Sequence, residues 1–330
     1  MKNSYIPKTL LGFIFLFSSK IIMAQSVEIH FPKSEPERVK WILQAKLFDY
    51  EFSSLDPLRI GVGAAGDYFL PKMLSLHADF NTSYVQLATT NAQTFNTNLN
   101  KLASFTLGQA CVRLHLVDKI GVQKVKIETG REDQGSHVIV HSLKIPFPAR
   151  KVFSIRAGLF TIAEPVSTDN NTTNSPFATL PGLQTSDGKK WGGSGEPVYT
   201  NMNLFGLFGG LSLMSVINTT YDYEGSDEML ERRFQEVYFD FMYAPVVSFG
   251  DIRTASGTSK ITPNASGSFK TSNMGGRIGL TILKPKNFGV AYGFEIGVRP
   301  GIQNSGFYFG TKVSLVFANK NHDFPSKVKN

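Results

Sequence analysis

Across residues 288–299 the side chains change character at every step. Phe288, Val290, Tyr292, Phe294, Ile296 and Val298 alternate with Gly289, Ala291, Gly293, Glu295, Gly297 and Arg299. Successive side chains of a β-strand point to opposite faces, so one face here is wholly apolar and the other is glycine, alanine and charge. The neighbouring segments repeat the pattern. Phe307, Phe309, Val313, Leu315 and Phe317 oppose Tyr308, Gly310, Lys312 and Ser314, while Ile278, Leu280 and Ile282 oppose Arg277, Gly279 and Thr281. A soluble sandwich also alternates, but its outer face is polar and its inner face fills a core. Glycine mixed with arginine, glutamate and lysine suits a crowded, watery lumen, and leaves the apolar face for lipid. The pattern predicts an all-β chain folded as a closed antiparallel transmembrane β-barrel.

The same reading along the chain gives strands at 39–52, 58–70, 74–84, 105–117, 124–129, 137–145, 152–162, 204–218 and 236–249, besides the three already described. That makes about 12 strands, with 10–14 as the range. Tight connections fall at 71–72, 118–121, 146–150 and 284–287, and 131–135 joins two further strands. Long loops lie around Thr89, Ala163 and Asp251. Counted back from Phe317, the tight connections share one side and the long loops the other, as periplasmic turns and outer loops do. Residues 221–233 are the exception, being long and charged for a turn. In 204–218, Leu207, Phe208, Leu211, Leu213, Met214 and Val216 occupy both faces, which suits a wall strand against a plug or a partner.

Composition agrees with this picture. Aromatic residues are 12% of the chain and charged residues 18%. The mean hydropathy of -0.09 resembles that of a soluble protein, but alternating strands average out in this way whereas membrane helices do not. Residues 1–25 read as an export signal: Lys2 and Lys8, then an apolar run at 10–17, then Met23-Ala24-Gln25. Residues 26–38 form a polar, proline-bearing periplasmic lead-in, 39–318 the barrel and 319–330 a periplasmic tail. Removing the signal lowers the formal charge from +8 to +5 by taking away Lys2, Lys8 and Lys20. The single Cys111 excludes an internal disulfide and a cysteine metal cluster.

Residues 308–315, Tyr-Phe-Gly-Thr-Lys-Val-Ser-Leu, closed by Phe317, resemble the last-strand signal of Gram-negative outer-membrane β-barrel proteins. The Ala24-Gln25 ending is similar to export signals of the Bacteroidota. The resemblance implies the barrel fold, the cell outer membrane, recognition by the barrel assembly machinery, and contact with outer-membrane lipid and lipopolysaccharide. Thirteen residues after Phe317 depart from members whose chain ends on that aromatic.

The inward positions collect Arg59, Asp67, His77, Asp79, Arg113, His115, Arg156, Asp240, Arg277, Glu295, Arg299 and Lys312. Charged rings set ion selectivity in channels; the mixed signs favour a salt-bridged interior holding a narrow barrel closed. His77 and Asp79 share a face and admit acid–base chemistry, yet a lumen wall explains them as well. No G-x-S-x-G element or Ser/His/Asp set supports a hydrolase, and His115, His137 and His141 lack metal-site spacing. Lys189, Lys190 and Trp191 are binding candidates on the 163–200 loop, for anionic lipopolysaccharide or a partner. Scattered positive charge excludes a nucleic-acid stripe. No cofactor or metal is expected. The function expected is a passive pore, with small solutes or protein partners, or a structural or accessory membrane component. The alternatives are an outer-membrane hydrolase acting on lipid or peptide and a secreted all-β binding protein.

Overall fold

The computed structural model describes residues 29–34, 36, 39–53, 58–70, 73–86, 104–135, 137–168, 198–223, 229–250, 252–254, 257–259, 271–284, 289–302 and 306–319. The predicted export signal lies outside them.

Ten strands form the wall: β1 (Trp41–Ser53), β2 (Arg59–Phe69), β3 (Leu74–Gln86), β4 (Thr106–Gln134), β5 (His137–Thr168), β6 (Val198–Tyr223), β7 (Met229–Phe249), β8 (Met274–Lys284), β9 (Gly289–Val298) and β10 (Phe307–Ala318). Each pairs antiparallel with its sequence neighbours, and β10 returns to β1 through Thr311↔Tyr50 and Leu315↔Ala45. The sheet therefore closes, leaving no free edge at the level where all ten strands run side by side.

The count is ten, not about 12, because two expected turns are strand interior. Residues 118–121 and 146–150 lie opposite each other within the continuous β4–β5 pairing, which runs from Thr106↔Ala163 to Gln134↔His137. The reversal is at Gly135, whose φ of 63° suits a residue without Cβ. Pro146 and Pro148 misled the sequence reading. Beyond Arg150, β5 has no β6 partner, and proline is tolerated on such an edge. Removing two strands preserves parity, so the asymmetry survives. The strand ends that flank 70–73, 135–136, 224–228 and 285–288 lie at the end holding both termini of the barrel, and those that flank 87–103 and 169–197 at the other.

Several loop expectations also change. Residues 221–233 are mostly strand, with Tyr221 opposite Met229. In the lead-in, Ile29–Ser34 pairs with β6, opposite Thr219 to Tyr223. The loop expected at 163–200 is strand to Thr168 and again from Val198, and the loop at 251–271 holds a small hairpin, Ile252–Thr254 with Gly257–Ser259.

The outward face is apolar along its central band: Phe239 is 54% exposed, Phe294 47% and Leu159 48%. The shorter wall strands, at 10–13 residues, match the length needed to cross the hydrocarbon core. Strands β4 to β7 run further at the terminus end. There Val125, Ile127, Ile145, Phe147 and Ala149 of the β4–β5 hairpin pack on Ile217 and Tyr221 of β6, with the Phe147 and Tyr221 rings edge-on at 5.3 Å.

Candidate functional site in the barrel lumen

Inward positions fall into three layers. At the terminus end Ile42, Phe69, Val152, Met214, Val216, Phe234, Leu283, Ala291 and Val316 meet in one buried apolar cluster. Eight of the ten strands contribute to it; β3 and β4 add Ser75 and His115 beside it, hydrogen-bonded at 3.1 Å. At the loop end a second cluster, with Phe105, Leu107, Phe160, Ile162, Met202, Leu204 and Met242, lines the β4–β7 side. Phe208, Met214 and Val216 belong to these clusters while Leu207, Leu211 and Leu213 face outward, so both faces of β6 are explained by the wall itself.

Between the apolar layers lies a belt of charge. Arg113 reaches Asp67 at 2.6 Å and Glu236 at 2.8 Å. Glu236 also takes Arg156 at 3.1 Å, Arg156 lies 3.1 Å from Asp240, and Arg277 donates to Asp240 at 3.0 Å. Arg277 then lies 3.8 Å from Glu295, which accepts from Tyr238 and, at 2.6 Å, from Tyr308. A second group joins Arg299 to Glu51, Glu51 to Arg59, and Arg59 to Glu164 at 2.9 Å. A third joins Lys46 and, at 3.6 Å, Lys312 to Asp79. His77 donates or accepts at Asp67, 2.9 Å away. Aromatic rings tie the belt to its surroundings: Arg59 lies 3.4 Å over Phe105, Arg299 3.9 Å over Tyr308 and Arg277 4.8 Å over Phe208.

Inner-face glycines make room for these long side chains. Gly210 lies opposite both Arg156 and Asp240, and a Cβ there would meet the Phe239 carbonyl and the Asp240 carboxylate. At Gly279 a Cβ would run into the Tyr238 ring and its hydroxyl. The glycine and charge that share one face in sequence are seat and occupant.

All twelve inward positions singled out in the sequence sit inside the barrel, most of them fully buried. Lys189, Lys190 and Trp191 lie outside the described residues. Sequence reasoning missed Lys46, Glu51, Glu164, Glu236 and Tyr238. Lys46 was hidden by a bulge between Lys46 and Asp49, which places both inward although their spacing is odd. Glu164 had been assigned to a loop. Glu236 and Tyr238 share the period-two face of Asp240, so that signal was present.

Little open space remains. Among the described residues the belt leaves a cavity of about 40 Å³ beside Asp67, Asp79 and Arg113, and one of about 20 Å³ beside Glu51, Arg59 and Arg299. Each has room for only a very few waters.

A closed up-and-down barrel, apolar outside and charged within, is the architecture of outer-membrane β-barrels. Solved structures described as outer-membrane expressed OmpT of Vibrio cholerae, and as in-vitro folded OmpT, an outer membrane protein of the same organism, match this chain at 9% identity. Both matches cover 88% of this chain and 100% of the other, with TM-scores of 0.20 and 0.18. Scores this low carry no argument, and the fold rests on the register given above. No protein-family model matches the chain, and no curated protein does.

Proposed function

We propose that this protein is a sealed outer-membrane barrel, a structural or accessory membrane component and not a passive pore. The observation that carries the reading is the lumen cross-section: an apolar layer fed by eight strands, stacked on an ion-paired belt. An ion entering the terminus-end layer would lose its hydration without gaining ligands, a penalty of several kcal/mol or more. The belt offers little to a passing solute, because Glu51, Asp67, Asp79, Glu164, Glu236, Asp240 and Glu295 are already held by arginine or lysine.

The same pairing argues against a hydrolytic role. His77 is engaged by Asp67, and that carboxylate is shared with Arg113, an arrangement suited to holding strands together. A Bacteroidota-type source fits the Ala24-Gln25 ending of the predicted export signal.

Reconstitution of the full chain into planar bilayers tests the reading. The expected result is heat-modifiable, vesicle-inserted protein that gives no unitary conductance steps. Stable steps from the wild-type chain would restore the pore.

A further inference from the structure

We propose that Lys119 and Lys151 hold the phosphate of an anionic phospholipid whose acyl chains lie along the outward face of β4 and β5. The inference rests on the barrel crossing a bilayer, as proposed above. The two lysines are directly opposed in the β4–β5 register, and both are exposed. Like charges directly opposite in a sheet repel, and among the described residues neither lysine has a carboxylate partner. Guarding an open strand edge is the usual use of lysine in a sheet. That does not account for Lys151, which is paired on its other side with Ser215 of β6.

Position along the wall supplies the second argument. Outward residues on the barrel side of the pair are Leu114, Leu116, Phe153 and Ile155, of which Leu116 is 51% exposed. On the hairpin side the outward face turns onto β6 at Ala149 and Phe147. The lysines thus mark the margin of the lipid-facing band. The Lys151 side chain runs over Gly121, away from the apolar rows, as a lysine reaching from hydrocarbon to headgroups would. From Ala157 to Lys151 the strand advances roughly 20 Å at about 3.3 Å per residue. At a tilt of about 40° this is roughly 15 Å along the membrane normal, half of the hydrocarbon thickness of about 30 Å. If Ala157 sits near the bilayer centre, the pair sits at phosphate depth.

The third argument is space for the chains. Where Gly66, Ala78, Ala110 and Ala157 face outward between Leu43 and Leu159, the wall carries an apolar depression of about 910 Å³. Small residues alone would not say what fills it. A cationic pair at phosphate depth on two of the same strands does: chains in the depression, phosphate on the lysines.

Native mass spectrometry of the full-length barrel in detergent tests this, with phosphatidylglycerol, phosphatidylcholine and soluble glycerol phosphate as probes. The expected result is at least tenfold stronger retention of phosphatidylglycerol than of phosphatidylcholine, and no glycerol phosphate adduct at equal concentration. K119Q/K151Q should abolish the preference, K119R/K151R should keep it, and Lys284→Gln, on β8, should leave it unchanged. Equal retention of the two lipids by the wild type, or an undiminished preference in K119Q/K151Q, would overturn the proposal. Glycerol phosphate adducts lost in K119Q/K151Q would likewise overturn it, in favour of an adventitious anion site. A heat-modifiable band on each sample separates this failure from failure of the membrane reading, in which no variant would show the folded, shifted form.

Discussion

Arg113 on β4 and Glu236 on β7 meet at 2.8 Å although two wall strands separate them and they stand 123 positions apart in the chain. The contact crosses the lumen. Arg113 holds Asp67 of β2 as well, so one guanidinium ties three strands that are not neighbours. Backbone hydrogen bonds close the barrel circumferentially, and these pairs brace it across its width.

Removing that guanidinium takes one of two partners from each of two buried carboxylates, leaving Asp67 with His77 and Glu236 with Arg156. Arg113→Ala should destabilise the barrel by about 3–5 kcal/mol, the cost of breaking a buried pair from one side. Equilibrium urea unfolding in detergent micelles or vesicles would read this directly. A change below about 1 kcal/mol would mean that water already solvates Asp67 and Glu236.

The outward face gives a test in which lipid and water predict different results. Phe239 and Ile278 are directly opposed on β7 and β8, and both point outward. Phe239→Arg should cost about 2–4 kcal/mol if the position lies near the bilayer midplane. The measurement is folding free energy in phospholipid vesicles. Stability unchanged there would show that this face meets water.

Gly210 tests whether the inner glycines are seats. Gly210→Val would drive a side chain into the Asp240 carboxylate and the Phe239 backbone. We expect about 1–3 kcal/mol of overpacking, with added loss if Arg156 and Arg277 are displaced from Asp240. Valine at Gly209, which faces outward with no side chain near its Cβ direction, should be tolerated, and the difference between the two variants is the readout.

The extended hairpin should open independently of the wall. Phe147 packs on Tyr221 beyond the point where β5 leaves β6, so Phe147→Ala removes packing that the ten-strand cylinder does not use. The expected outcome is faster proteolysis and faster amide exchange between Gln123 and Phe147, with heat-modifiable migration retained. Loss of the folded band would show that the hairpin belongs to the same cooperative unit as the barrel.

How much of this could be read without coordinates follows from the range of each interaction. The inward or outward direction of a side chain depends on its own strand alone, which is why Phe294 and Glu295 could be assigned from their neighbours. Strand boundaries depend on a partner. Asp118 and Pro146 carry turn-forming chemistry, and they remain in strands because β4 and β5 extend past β3 and β6 while still pairing with each other. The bulge after Lys46 is a second such case, since a one-residue slip reverses every later side chain.

Period-two alternation in the sequence was sufficient to determine a β-barrel with an apolar outside and a charged inside, because side-chain direction along a strand is a local property of the backbone. Which charges meet is not local. Asp67, Arg113 and Glu236 come from three strands whose juxtaposition exists only once the sheet has closed with a particular number of strands and stagger. The sealing of the lumen is decided at the same stage: Leu283, Ala291 and Val316 fall on the inward face of their strands by period alone, and become a barrier only when curvature brings them to one level with the rest of the cluster.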